Sequence, residues 1–147
     1  MPTSQSAVIN HLDGDARRDT TIEHIETRIV DCITTRRHKL SNTEITHPSF
    51  VIVAAKLASG AVGYGEASTL GGPRWSEESV EAIKANIDTY IAPVLVGQSA
   101  LAFEANGLRM NKAVKRNSSA RAAIDSALYD AAGKALELPA TAFLGGP

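Results

Sequence analysis

From Ile22 to Thr35 apolar and polar residues alternate. Ile25, Thr27, Ile29 and Ile33 fall on one side and Glu26 and Arg28 on the other, the period-two pattern of a strand with one buried face. Phe50 to Ala58 (FVIVAAKLA) is apolar almost throughout and rich in β-branched residues, which predicts a strand flanked by partners on both sides, central in its sheet. Ser59-Gly60 then turns the chain into Ala61 to Ala67, closing a hairpin. In this segment Val62, Tyr64 and Glu66 share one face, while Gly63 and Gly65 leave the other bare and open to close approach.

The period changes after Gly71-Gly72-Pro73. Ser76 precedes Glu77 and Glu78 as an N-cap with first-turn acids, and Val80, Ile83, Ile87, Tyr90, Ile91 and Val94 recur at helical spacing, with Pro93 marking the close. Ser99 caps a second helix that runs to about Lys115 with Phe103, Leu108 and Val114 apolar; Gly107 in its middle costs roughly 1 kcal/mol against Ala. A third helix, Ser118 or Ser119 to Leu138, sets Ala120, Ala123, Ile124, Ala127, Leu128, Ala131 and Ala135 on one stripe, small enough for backbones to meet. Pro139 opens a short turn carrying Phe143 and Leu144, and Gly145-Gly146-Pro147 stops it. Strands followed by helices predict an α+β fold: a three-stranded antiparallel meander, then a three-helix bundle. Residues 1–21 offer only Val8, Ile9 and Leu12 for burial and read as a flexible leader before a domain at 22–138.

Charge narrows the partners. Lys+Arg number 15 against Asp+Glu 16 in 147 residues, a near-neutral balance that argues against nucleic acid. That length is about one domain's worth of chain, able to build a core without metal or disulfide staples. Cys32 is the only cysteine, which excludes an internal disulfide and a thiolate cluster and fits the cytosol. No apolar stretch approaches the roughly 18 to 20 residues of a spanning helix, so no membrane span is expected.

Self-contained catalytic motifs are missing: HExxH, CxxC, a Walker loop, GxSxG, GxGxxG and Lys-x-Lys are all absent. Gly63-Tyr64-Gly65 lies in a strand pattern, without the third glycine or the following helix of a nucleotide loop. His11, His24, His38 and His47 show no spacing that sets two ligands on one helix face. Arg121 with Asp125 and Asp130 with Lys134 read as solvated i, i+4 pairs worth a few tenths of a kcal/mol each. Two segments retain a functional reading: the basic run Arg36-Arg37-His38-Lys39, able to steer an anion, and the Gly-Gly-Pro loop flanked by Leu70 and Trp75, able to cover a ligand.

Taken together, IEHIETRIVDCITTRRHKL, ASGAVGYGEAST, TLGGPRWSEES and AIDSALYDAAGKALELPATAFLGG closely resemble the amino-terminal capping domain of the muconate cycloisomerase (muconate lactonising enzyme) family of the enolase superfamily, from about Ile22 to Pro147. The resemblance implies a cap that folds over the mouth of a carboxy-terminal barrel absent from this chain, with residues 139–147 beginning the connection. That barrel would hold a divalent metal, Mn²⁺ or Mg²⁺, on carboxylates beside a Lys-x-Lys acid/base, and would close a lactone on cis,cis-muconate or a related dicarboxylate. The chain alone would then bind no metal and be inactive; the full-length subunit would form homo-oligomers in the cytoplasm.

Two substrate-covering loops carry over, onto Ile33 to Lys39 and Leu70 to Trp75. The substrate-binding residues expected from them are Leu70, Trp75, Ile33, His38 and Lys39, acting through shape and water exclusion. Three departures from the family pattern stand out: Ile33 and Arg37 where prolines are common, Pro73-Arg74 inside the second loop, and Glu137 where glycine is usual before Leu138-Pro139. The alternatives are a dipeptide epimerase, racemase or succinylbenzoate synthase cap, or a non-catalytic truncated module.

Overall fold

The computed structural model describes residues 20–41, 44–69, 71–74 and 76–146; the leader up to residue 19 and the candidate residues Leu70 and Trp75 lie outside the described residues. Five strands follow in chain order: β1 (Ile22–Asp31), β2 (His38–Lys39), β3 (Glu44–Ile45), β4 (Ser49–Leu57) and β5 (Val62–Ser68). β1, β4 and β5 form one antiparallel sheet with β4 at its centre, as its apolar run predicts, and β2 pairs with β3 in a separate two-stranded ribbon. Thr20 and Thr21, at the end of the stretch read as leader, belong to the fold: Thr20 is buried with its hydroxyl 3.0 Å from that of Ser99, and Thr21 bridges to Ser99.

The helical layer covers one face of the sheet. Helix α1 (Val80–Asn86) continues through a π-helical turn (Ile87–Ile91) into α2 (Ala92–Leu95); α3 (Phe103–Ala113), α4 (Ser118–Leu136) and a 3₁₀ turn (Ala140–Leu144) follow. Along α1 and α2 the side chains of Ile83, Ile87, Ile91 and Leu95 are fully buried, each stabilising the domain by roughly 1.5–3 kcal/mol.

Several expectations need correction. β1 stops at Asp31, short of Thr35, and although Ile25 and Thr27 face the core, Ile29 is 39% exposed and Ile33 81%. Ile29 pairs with the fully buried Val51, so the core covers β4 at this level and leaves the edge strand β1 partly open. Tyr90 and Val94 are exposed, and the helix runs past Pro93 to Leu95. A proline inside a helix cannot donate to the preceding turn and its ring crowds that turn's carbonyl; the wider π turn just before Pro93 relieves the crowding and shifts the phase of the stripe. Ser79, not Ser76, caps α1, its hydroxyl accepting from Ala82 N–H at 3.2 Å. In α3, Leu108 is exposed, and the buried positions are Asn106 and Met110.

The glycine face of β5 is where helix and sheet touch. A Cβ placed on Gly63 would lie 2.1 Å from the Ala127 carbonyl oxygen, and one on Gly65 would lie 1.9 Å from that of Ala123. The α4 stripe of Ala120, Ala123, Ile124, Ala127, Leu128 and Ala131 is buried against this surface. α4 ends at Glu137, which adopts the left-handed φ of 54° while Leu138 N–H donates to Gly133 O at 2.9 Å. That conformation favours glycine, so Glu137 is held there at some cost in strain.

The i, i+4 pairs do more than the sequence suggests. Asp130 accepts the outward Tyr64 N–H of edge strand β5 at 2.8 Å, and Lys134 donates to Val62 O at 3.0 Å while bridging Asp130 at 2.7 Å. On the opposite edge Lys84 donates to Thr27 O at 3.0 Å and pairs with Asp88 at 2.7 Å. Both sheet edges are thereby occupied by side chains, which discourages strand addition from another chain. Partial burial pushes the Asp130 carboxyl up, but the hydrogen bonds from Lys134 and Tyr64 and the Lys134 charge outweigh it and hold the group below the usual carboxylate range. Asp125 is half-buried: burial raises its carboxyl above the usual range against the opposing charge of Arg121, whose guanidinium instead donates to Asn111.

The close approach yields a paired expectation. Gly65→Ala forces β5 and α4 apart and costs at least about 3 kcal/mol, whereas Gly107→Ala, with open space around it, stabilises α3 by up to about 1 kcal/mol. Urea unfolding of both variants, followed by circular dichroism, checks this; a Gly65→Ala protein as stable as the parent refutes the contact.

Candidate substrate-facing groove

Two loops rise from the same end of the sheet. Register fixes this: Asp31 pairs with Ser49 where β1 gives way to the first loop, and Phe50 pairs with Ser68 where β5 enters the second. The first loop extends the β1–β4 pair, with Cys32 N–H donating to Pro48 O at 3.0 Å and Thr34 N–H to Thr46 O at 3.2 Å. Beyond them the ribbon pairs His38 with Ile45 and Lys39 with Glu44, strengthened by an Arg37–Glu44 ion pair at 3.3 Å. Within the ribbon only Ile45 is buried.

The second loop turns on Gly71 and Gly72, whose φ values of 75° and 63° suit glycine, and continues as a 3₁₀ turn over Gly72–Arg74. Gly72 N–H donates to Thr69 O at 3.0 Å and Ser76 N–H to Gly72 O at 3.1 Å, so the described part of the loop is closed by its own backbone. The start of α1 completes the wall.

Between the loops lies a groove of about 390 Å³, walled by Glu44, Ile45 and His47 on one side and by Gly72, Arg74 and Glu81 on the other. A second cavity of about 420 Å³ lies against Thr34, Arg36, His38, Ile45, Pro48 and Phe50. Ile45 and Pro48 line both. The Ser79 hydroxyl, aided by a backbone bond, holds the Glu81 carboxyl below its usual range. Arg36 at the second cavity and Arg74 at the groove make no ion pair among the described residues, which leaves one cationic group at each to meet an anion.

Of the residues expected from the sequence, His38 lines the second cavity, Ile33 projects into solvent and Lys39 is exposed on the ribbon. Glu44, His47, Arg74 and Glu81 were missed. Glu81 carries a readable signal, two residues past a capping serine, but the other three reach the groove only through the fold of their loops. Among the described residues no group of three or more His, Cys, Asp or Glu gathers to hold a metal, so the divalent metal implied by the resemblance does not fit here. No helix of the described residues is long and apolar enough to cross a membrane.

These features define an α+β domain with a loop-walled groove at one end of its sheet. The family described as "Mandelate racemase / muconate lactonizing enzyme, N-terminal domain" matches residues 24–145, and the chain belongs to it. Over 125 residues it is 46% identical to a chloromuconate cycloisomerase of Pseudomonas sp. (strain P51), covering 85% of this chain and 34% of the relative. It is 43% identical over 127 residues to muconate cycloisomerase 1 of Pseudomonas putida, again covering 85% and 34%. The structure of muconate lactonizing enzyme from Pseudomonas fluorescens complexed with muconolactone superposes with a TM-score of 0.83 at 42% identity, covering 87% of this chain and 34% of that one. The chain thus spans about a third of the length of the relatives it matches.

The role of Ile45 as the anchor of the ribbon is testable. Ile45→Ala removes the ribbon's buried anchor at about 2 kcal/mol or more, so amides of residues 38, 39, 44 and 45 exchange roughly 30-fold faster while those of α4 are unchanged. Hydrogen exchange read by NMR would contradict this if the ribbon amides kept their parent rates.

Proposed function

We propose that this chain is the capping domain of a muconate cycloisomerase-like enzyme, closing over a barrel site that lactonises cis,cis-muconate or a substituted muconate. The observation that carries the reading is the groove between the two loops, where Arg74 stands beside Glu44 and Glu81, on a domain 46% identical to a chloromuconate cycloisomerase over 125 residues. The cap's own chemistry is positional. Arg36 and Arg74 offer charge to a dicarboxylate, His38 and Ile45 shape the walls, and Ile33 and Lys39, exposed on the first loop, would face the substrate in the full-length protein. Leu70 and Trp75 belong to the second loop and supply apolar cover that keeps water from the reacting bond.

The divalent metal, Mn²⁺ or Mg²⁺, would stabilise the enolate-like charge of the reaction from the barrel. No step of that chemistry belongs to residues of this chain, so the chain by itself turns nothing over. The full-length subunit works in the cytosol as a homo-oligomer; the exposed, unpaired Cys32 suits a reducing compartment.

In the full-length protein, Leu70→Ala and Trp75→Ala each raise KM for cis,cis-muconate and lower kcat/KM by about 10- to 100-fold, because the substrate loses apolar cover in a water-excluding site. Steady-state assays with Mn²⁺ check this. Absence of lactonising activity in the unaltered full-length protein would sink the reading, and unchanged kinetics in both variants would sink the assignment of these two residues.

A further inference from the structure

The second loop returns to the core at Glu78. This half-buried residue precedes Ser79, the cap of α1, and its side chain reaches across to the start of α4, where Oε2 accepts from Ser119 N–H at 3.2 Å and from Ser119 Oγ at 2.5 Å. α4 has no cap of its own. Asn117 at its cap position sits in the left-handed region at φ 48° and makes no capping bond; its side chain is engaged instead with Asn86 and with Lys115 O. Orphan N–H groups at a helix start need an acceptor, and an acid carried on another segment provides one here.

The backbone of Glu78 is equally committed. Its carbonyl accepts from Ser76 Oγ at 3.1 Å, and Ser76 N–H in turn donates to Gly72 O at 3.1 Å, so the last turn of the loop is built onto this one residue. Loop, α1 and α4 meet there. The other carboxylate oxygen, Oε1, is buried and has no hydrogen-bond partner among the described residues, so the bonds that fix the side chain all converge on Oε2 and Ser119. Removing the Ser119 hydroxyl would therefore leave the carboxylate a single bond, from the Ser119 N–H.

We propose that Glu78 is a positioning residue whose carboxylate, held by Ser119, sets the pose of the Gly72–Arg74 rim over the groove. This rests on reading that loop as a substrate cover, but its test does not need turnover. Trp75 is the only tryptophan in the chain and lies between Arg74 and Ser76, so its fluorescence reports on the loop alone. In the 147-residue chain, well below the melting transition, Glu78→Ala raises the acrylamide quenching constant of Trp75 about twofold or more, since local opening no longer breaks a charge-assisted bond. Glu78→Gln, which keeps an acceptor for Ser119, and Ser119→Ala, which keeps the N–H, give smaller increases; Glu77→Ala, at an exposed neighbour, gives none.

A merely structural cap predicts a different pattern. Under it Glu78→Ala lowers Tm by several degrees and leaves Trp75 quenching at the parent value, which overturns the proposal. An equal rise in Glu77→Ala overturns it too, because the effect would then not pass through Ser119. Should Glu78→Ala fail to fold, the graded response of Glu78→Gln and Ser119→Ala decides the same question. Failure of the full-length enzyme to lactonise muconate would leave these readings untouched, so the two proposals fall separately.

Discussion

The α4 backbone lies directly on β5, and the rest of the molecule is arranged around that contact. With Gly63 and Gly65 the two elements approach until any Cβ would collide with the carbonyls of Ala127 and Ala123. The alanine stripe of α4 follows from the same constraint, since larger residues would lift the helix off the sheet. With the helix this close, Asp130 and Lys134 reach round to the outer edge of β5, and Glu78 can meet the start of α4. Packing and edge protection are therefore consequences of two missing side chains.

From this rigid base the two loops project with far less support. The sheet and helices hold a continuous apolar core, whereas the ribbon keeps one buried side chain and a solvent-exposed ion pair of the kind worth about 0–1 kcal/mol. Domains that cover a site need such a division, because the rim must adjust to a ligand while the frame keeps its ends in register. On the proposed reading, Arg36 and Arg74 would meet a dicarboxylate, and a barrel would supply the metal and the acid/base chemistry.

The parts of this design that depend on local pattern were legible in the sequence. The glycine alternation announced a close approach, the alanine periodicity announced its partner, and the apolar run of β4 announced a central strand. Features set by distant contacts were not. Strands of two residues, His38–Lys39 and Glu44–Ile45, are too short to leave a period, and the π turn beside Pro93 is a relief of crowding that periodicity cannot register. Asp130 with Lys134 looked like an ordinary helix-surface pair because nothing nearby in sequence reveals the strand edge it caps. For the groove, family resemblance located the loops and chemistry pointed to the basic run. The opposing wall, formed by Arg74 and Glu81, emerges only once the chain is folded.

The account holds that this domain covers a muconate-type site, and an exchange of domains tests it most directly. The amino-terminal third of the chloromuconate cycloisomerase of Pseudomonas sp. (strain P51), 46% identical over 125 residues, can be replaced by residues 20–146 of this chain and the folded chimera assayed with muconate and chloromuconate in the presence of Mn²⁺. Lactone formation, with a KM shifted from that of the parent enzyme, is the predicted result. A folded, metal-loaded chimera that turns over neither diacid would contradict the account.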